Sequence, residues 1–206
     1  MNPAAIALPS TKAGMITKEL IQAMIARAGE IARRPGHWLA DQLRNEDGAA
    51  GYHGLGEEIW IQSGGRMDAF VHSVGTSASI QGVAQALRKH NPKVRLVAVE
   101  PGESAVLSGG EAAPHNIEGV GIGRTPPMWD PAIIDEIIAV PTDAAKAMAR
   151  RLAKEEAIFA GTSSGANVVA ALQVAERLGP SATVATLMVD SGLKYVGTDV
   201  YRAANG

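Results

Sequence analysis

Cysteine is missing from the 206-residue sequence, and this absence excludes several kinds of chemistry at once. Without thiols the chain can form no disulfide, no thiolate zinc site and no cysteine nucleophile. No apolar run approaches the roughly 18 residues that a membrane-spanning helix requires, and the first residues lack the charged-then-apolar pattern of a secretory signal. We therefore expect a cytoplasmic protein with no membrane partner.

Concentrated positive charge is also lacking. The formal net charge is −2 at pH 7, and no run of Lys or Arg is longer than two residues. These features argue against nucleic acid as a partner. His53 and His72 lack the spacing of metal ligands, so no metal site is predicted. Aromatic residues make up only 4% of the chain, whereas its 46% hydrophobic content is ordinary for a globular protein with a packed core.

The most informative stretch that is present runs from Val71 to Lys89 and is predicted to form a strand, a loop of small residues and a helix. The loop, Gly75 to Ser79 (GTSAS), precedes apolar residues at helical spacing. Backbone N–H groups at the start of a helix lack intrahelical acceptors and lie at the positive end of the helix dipole, so the loop is a candidate phosphate site. The alternative is a capped turn, with Ser77 or Ser79 as the cap.

Strands and helices alternate along the rest of the chain, which predicts an α/β fold with a mostly parallel sheet covered by helices on both faces. The small residues from Gly48 to Gly51 indicate a domain junction near residue 47. The long Gly- and Pro-rich segment 100–123 is more typical of a functional element than of a simple connection. Helices are predicted at 16–33, 53–63, 142–155 and 163–178, and strands at 4–8, 37–40, 68–74, 94–99, 133–140, 158–161 and 182–188.

Nine short motifs follow one another in an order that resembles the cysteine synthase branch of the fold-type II enzymes, which use pyridoxal phosphate (PLP) and share the fold of the tryptophan synthase β subunit. Each motif alone has low specificity, whereas the ordered set is highly specific. The motifs are DQLRN (41–45), GEEIW (56–60), VGTSAS (74–79), VEP (99–101), SGG (108–110), HNIEGVG (115–121), IDE (134–136), GTSSGA (161–166) and VDSGLKY (189–195).

The resemblance implies roles for individual residues. Ser191 is similar to the serine that hydrogen-bonds the PLP pyridine nitrogen, and Gln42 is similar to a glutamine near the substrate carboxylate. Gly119 and Gly121 resemble the backbone segment that lines the mouth of the active site. Without the resemblance, Ser191 reads as a turn or cap residue and Gln42 as a solvated loop residue. The phosphate of PLP is expected in a cup formed by Gly75, Thr76, Ser77, Ala78 and Ser79.

The family's lysine, which forms a Schiff base with PLP, has no counterpart in this sequence. Its NPxxSxKDR-type segment is absent, as is the TSGNT-type loop that grips the substrate carboxylate, and Lys194 matches a family arginine. We therefore predict no catalytic residue in this chain and expect it to be inactive alone. The resemblance implies an N-terminally truncated chain, with residues 1–47 as the remnant of a smaller domain and 48–206 as the larger C-terminal α/β domain.

The implied reaction is the β-replacement of an activated serine by a sulfur nucleophile to give cysteine, with a small amino acid as substrate. A homodimer or a separate chain that supplies the N-terminal part is the expected partner. Two alternatives stay open. One is another fold-type II enzyme, similar to cystathionine β-synthase, serine dehydratase or tryptophan synthase β. The other is a non-catalytic α/β module that binds a phosphate-containing effector.

The phosphate cup departs from the family pattern GTGGT at two positions. Ser77 and Ala78 stand where the family has glycine. If either position has a positive φ angle, the side chain is expected to cost about 1 kcal/mol or more.

Overall fold

The computed structural model describes residues 18–202, in which four apolar segments pair as one parallel sheet. Nearly every residue of its two central strands is buried, because helices cover both faces of the sheet. Across the sheet the strands follow the order β3-β2-β1-β4. The strands are β1 (Ala69–Ser73), β2 (Arg95–Pro101), β3 (Glu136–Val140) and β4 (Val184–Ala185).

Alternate side chains of the strands enter two separate cores. Phe70 and Leu96 face one core, and Val71 and Val97 face the other, as the period of two in a strand requires. Helices α3 and α4 contribute to the first core, whereas α5 and α6 contribute to the second. The predicted three-layer α/β fold is confirmed. The helices are α1 (Lys18–Ala32), α2 (Glu46–Ala50), α3 (His53–Gln62), α4 (Ala78–His90), α5 (Thr142–Glu155) and α6 (Thr162–Leu178).

Two predicted strands are wrong. Residues 37–40 are exposed, and the Trp38 side chain is 82% exposed. They do not form a strand because no other segment among residues 18–202 pairs with them. Residues 158–161 contain a single antiparallel bridge, from Ala160 to Ser191, instead of a strand. The predicted strand 182–188 shrinks to Val184–Ala185, and the predicted strand 4–8 lies outside the described residues.

The long segment 100–123 is largely irregular, as predicted, with one short 3-10 turn at Gly102–Ser104. The Glu100 carboxylate holds this segment because it accepts hydrogen bonds from the backbone N–H groups of Leu107 and Ser108, at 2.7 and 3.1 Å. Among the residues that the structure describes, no helix has both the length and the apolar character needed to cross a bilayer.

Candidate functional site

The loop from Gly75 to Ser77 connects the carboxyl end of β1 to the first turn of α4. Ser77 is the residue before the helix and has a φ angle of 79°, in the left-handed region. Ala78 is the first residue of the helix, so only one of the two positions at which the family has glycine requires a positive φ angle. The strain expected for a side chain in this region, about 1 kcal/mol, therefore falls on Ser77 alone.

Neither predicted serine caps α4 with its side chain. Thr76 Oγ1 instead accepts a hydrogen bond from the Ala78 backbone N–H at 3.3 Å, and the Ser77 hydroxyl accepts one from Gln81 Nε2 at 3.4 Å. The remaining N–H groups of the first turn have no acceptor within the helix. Backbone donors and three hydroxyl groups therefore line the start of α4, at the positive end of its dipole.

A buried polar network lies directly beneath this loop. His72 on β1 is 5% exposed, and its Nε2 atom is 2.9 Å from Ser79 Oγ. Its Nδ1 atom is 3.3 Å from Nδ2 of the fully buried Asn167, on α6. Burial lowers the pKa of His72 from 6.5 to about 4, because the charged imidazolium would lose its hydration. His72 is therefore neutral near pH 7.

The segment with Gly119 and Gly121 packs against the loop after β1. The Gly121 N–H donates to the Val74 carbonyl at 3.2 Å, and a Cβ atom on Gly75 would lie 2.5 Å from the Gly119 carbonyl oxygen. His115 Nε2 lies 2.9 Å from the Gly121 carbonyl oxygen, so this histidine helps to hold the segment in place. The fold thus brings both glycines next to the predicted cup.

Ser191 lies in an exposed turn after the last strand. Its Oγ atom accepts a hydrogen bond from the Leu193 N–H at 3.3 Å, so it caps the 3-10 turn Gly192–Tyr195. The hydroxyl proton of Ser191 is not used in that bond and can be donated to another group. Ser191 therefore caps a turn, which is the role that its sequence context alone indicates. Its hydroxyl proton remains available for a hydrogen bond to a ligand.

An ion pair joins the Ser191 turn to the Gly119 segment. Lys194 Nζ is 3.0 Å from Glu118 Oε1 and 3.7 Å from Asp190 Oδ2. The Tyr195 hydroxyl donates to Asp190 Oδ2 at 2.8 Å, and burial, followed by this hydrogen bond and the charge of Asp190, raises the pKa of Tyr195 above its ordinary value. These contacts place the Ser191 turn next to the glycines beside the cup.

Gln42, predicted to lie near the substrate carboxylate, precedes α2 in the chain. It is exposed in the turn between α1 and α2. The hydrogen bonds of that turn are local, such as the 2.9 Å bond from the Asn45 N–H to the Asp41 carbonyl.

Two residues of the site, His72 and Asn167, were missed as functional residues from the sequence. The spacing of His72 argues only against a metal ligand, and Asn167 follows the GTSSGA motif within a predicted helix. The signal in the sequence that points to His72 is the chemical character of its strand. A histidine in an otherwise apolar strand, ahead of a phosphate-type loop, requires a buried polar partner. No group of three metal-ligating side chains is found in residues 18–202.

The known proteins that this chain matches belong to the same family that the order of the motifs indicates. Residues 15–190 match the family described as pyridoxal-phosphate dependent enzyme. A cysteine synthase from Staphylococcus aureus is 40% identical over 186 residues, which are 89% of this chain and 60% of that protein. The chain therefore spans about 60% of the length of this curated relative.

Solved structures lead to the same group of proteins. The cysteine synthase of Entamoeba histolytica matches with a TM-score of 0.82 and 36% identity, over 91% of this chain and 56% of that one. The O-acetylserine dependent cystathionine beta-synthase from Helicobacter pylori matches with a TM-score of 0.84 and 34% identity, over 88% of this chain and 60% of that one.

Proposed function

The chain belongs to the pyridoxal-phosphate dependent enzyme family, within its cysteine synthase group, and we propose that the described residues supply the phosphate-binding part of a PLP site. One observation carries this proposal. The cup from Gly75 to Ser79 places backbone N–H groups and hydroxyls together at the start of α4, with Ser77 in the left-handed conformation that turns the chain into the helix.

The residues present fit the phosphate of the cofactor. Phosphate is an acceptor with two negative charges, and the cup offers donors from the hydroxyls of Thr76, Ser77 and Ser79 as well as from the backbone. The Gly75 position has no room for a side chain, since a Cβ atom there would approach the Gly119 carbonyl oxygen to 2.5 Å. A small residue at this position is therefore needed for the cup to close against the neighbouring segment.

The other proposed contacts follow from the surrounding turns. Ser191 would donate its free hydroxyl proton to the ring nitrogen of the cofactor, while its oxygen keeps the bond to the Leu193 N–H. Gly119 and Gly121 would line the mouth of the site, and the pair Lys194–Glu118 holds their segment against the Ser191 turn. Gln42, exposed in the turn before α2, would contact the substrate carboxylate.

When bound, PLP acts as an electron sink that stabilises negative charge at the substrate α-carbon. For a cysteine synthase the substrate would be an activated serine, and a sulfur nucleophile would replace its leaving group. A second candidate is the formation of cystathionine, because the Helicobacter pylori protein with a TM-score of 0.84 is named an O-acetylserine dependent cystathionine beta-synthase. Product analysis with sulfide and with homocysteine would distinguish the two.

We further propose that the catalytic cycle requires a lysine that is not among residues 18–202 of this chain. Lys146 is buried against Asp199, at 2.6 Å, and Lys194 pairs with Glu118. A lysine that holds the cofactor needs a free amine, which requires a depressed pKa. The same proposal includes a homodimer or a complementing chain as the partner. It also includes a boundary between two domains near residue 47 and a cytoplasmic location.

A matched pair of variants at Thr76 tests the phosphate cup. Thr76→Asp preserves an acceptor for the Ala78 N–H but adds a negative charge, whereas Thr76→Asn adds a neutral acceptor of the same shape. We expect PLP to bind the wild-type chain at least tenfold more tightly than pyridoxal, which lacks the phosphate. Fluorescence titration should show that Thr76→Asp abolishes this preference and that Thr76→Asn retains it. Equal affinities of the wild type for PLP and pyridoxal would contradict the proposal.

A further inference from the structure

The network under the cup contains a serine, a histidine and an asparagine, which could in principle serve two different purposes. A histidine that accepts the proton of Ser79 would activate the serine as a nucleophile. A histidine that donates to Ser79 Oγ would instead leave the serine proton available for an anion. Which of these roles applies depends on the nitrogen of His72 that carries its proton.

The backbone around Asn167 determines the orientation of its side-chain amide. Asn167 Oδ1 lies 2.8 Å from the Ser73 backbone nitrogen, which can only donate. Asn167 Nδ2 lies 3.0 Å from the Leu187 carbonyl oxygen, which can only accept. The oxygen and nitrogen of the amide therefore cannot exchange places without the loss of both bonds.

This orientation selects the tautomer of His72. Asn167 Nδ2 is a donor and lies 3.3 Å from His72 Nδ1, so Nδ1 must be the unprotonated nitrogen. The imidazole is neutral, because burial disfavours its charged form. The single ring proton is consequently on Nε2, which donates to Ser79 Oγ across 2.9 Å. His72 therefore has no lone pair available to accept the proton of Ser79. Activation of Ser79 as a nucleophile by His72 is excluded.

We propose that His72 is a positioning residue that makes the Ser79 hydroxyl a dedicated donor to the phosphate in the cup. The lone pair that accepts from His72 fixes the orientation of the hydroxyl group, and the remaining O–H is left for the anion. His72 itself does not touch the ligand. The inference rests on the proposed function, because it needs a phosphate group above the loop.

The same network connects the cup to the sheet and to α6. Ser73 ends β1 and donates to Asn167, and Leu187 follows β4 and accepts from it. The side chain of a single α6 residue thus joins the ends of two neighbouring strands beneath the phosphate-binding loop. This arrangement ties the position of the Ser79 hydroxyl to the packing of α6 on the sheet.

The tautomer can be measured on the wild-type chain without any variant. Nitrogen-15 NMR of the histidines at pH 7 should show a neutral His72 ring with a protonated Nε2 and an unprotonated Nδ1. A proton on Nδ1 would overturn the inference, because the ring would then accept the proton of Ser79. This measurement is independent of cofactor binding and of how well any variant folds.

Two substitutions of His72 separate the hydrogen bond from the volume of the side chain. His72→Gln can place an amide N–H near the position of Nε2, so it should retain the bond to Ser79. His72→Asn is too short to reach Ser79 and should lose that bond. The ratio of PLP to pyridoxal affinity isolates the phosphate contribution. We expect it to fall about tenfold in His72→Asn, because the Ser79 hydroxyl is then no longer held in the orientation that donates to the charged phosphate, and to recover within about threefold in His72→Gln.

A double-mutant cycle with Ser79→Ala tests whether the two residues act as one unit. Ser79→Ala alone should reduce the affinity ratio about tenfold, and His72→Asn should add nothing further in that background. The phosphorus-31 shift of bound PLP should change in His72→Asn and return toward the wild-type value in His72→Gln. Independent losses, or a His72→Asn variant within twofold of the wild-type ratio, would overturn the inference.

The outcomes also separate this inference from the proposed function. A wild-type chain that binds PLP and pyridoxal equally overturns both. A wild-type chain that prefers PLP, together with a His72→Asn variant of unchanged preference, overturns only the role of His72. Circular dichroism of each variant identifies a loss of folding, in which case the NMR tautomer on the wild-type chain decides.

Discussion

At the scale of single residues, Ser77 shows how one position departs from the family pattern at a cost in stability. Its φ angle of 79° suits glycine, whereas Ala78 lies in the helix, where glycine is unfavourable. Restoring glycine at the two positions should therefore have opposite effects. We expect Ser77→Gly to raise the free energy of unfolding by about 0.5–1 kcal/mol and Ala78→Gly to lower it by about the same amount. Urea denaturation of both variants provides the measurement, and changes of the same sign would contradict this reading.

His72 should make the stability of the chain depend on pH. Its pKa is about 4 in the folded state and near 6.5 in the unfolded chain, so the unfolded state binds more protons between these values. The contribution is fully present above about pH 6.5 and is lost as the pH falls toward 4, with a total of about 3 kcal/mol. His72→Gln should flatten the profile of unfolding free energy in this window. The exposed His37 provides the control, and a His37→Gln profile that flattens equally would refute the assignment.

The position of the loop between β1 and α4 could be predicted from the sequence, because small and hydroxylated residues precede apolar residues at helical spacing. The tautomer of His72 could not be predicted, because it depends on Asn167, which is 95 positions away in the chain. Which of Ser77 and Ala78 bears the strain also required the backbone angles. Composition identifies the donors, whereas only the fold identifies their partners.

At the scale of elements, the contact between α5 and α6 depends on one glycine. A Cβ atom on Gly165 would collide with the backbone carbonyl of Ala145, so one of the two helices would have to shift. We expect Gly165→Ala to lower the free energy of unfolding by about 1–3 kcal/mol, the usual range for overpacking. Gly29 in α1 is the control because nothing lies within 4 Å of its added Cβ. Gly29→Ala should raise stability by up to about 1 kcal/mol, and a neutral Gly165→Ala would show that the helices can separate.

The elements that were predicted correctly are those with a strong internal pattern. The bounds of α5, Thr142–Glu155, agree with the predicted range because its apolar positions recur at helical spacing. The segments 37–40 and 158–161 are too short for periodicity to establish them, and a strand exists only when a neighbour accepts and donates its hydrogen bonds. Helix prediction uses local information, whereas the identity of a strand depends on a partner elsewhere in the chain.

At the scale of the whole molecule, the binding groups that we propose lie at the carboxyl ends of the parallel strands. The cup follows β1, and the Ser191 turn follows β4, its neighbour in the sheet. An open parallel sheet binds ligands at this edge because the helix starts and loops converge there. The same arrangement leaves the buried Lys146 tied to Asp199, in contacts separate from those of the cup.

This distribution of lysines predicts the outcome of trapping the cofactor. After incubation with PLP and reduction with borohydride, peptide mapping should show label scattered over exposed lysines, with no single dominant site. Lys194 is the control position, because Lys194→Arg keeps a cation for Glu118 but removes the primary amine that borohydride would trap. The variant should therefore leave the labelling pattern of the other lysines unchanged. A stoichiometric adduct on one lysine would mean that the chain holds the cofactor covalently by itself, and the proposal of an additional lysine would then fail.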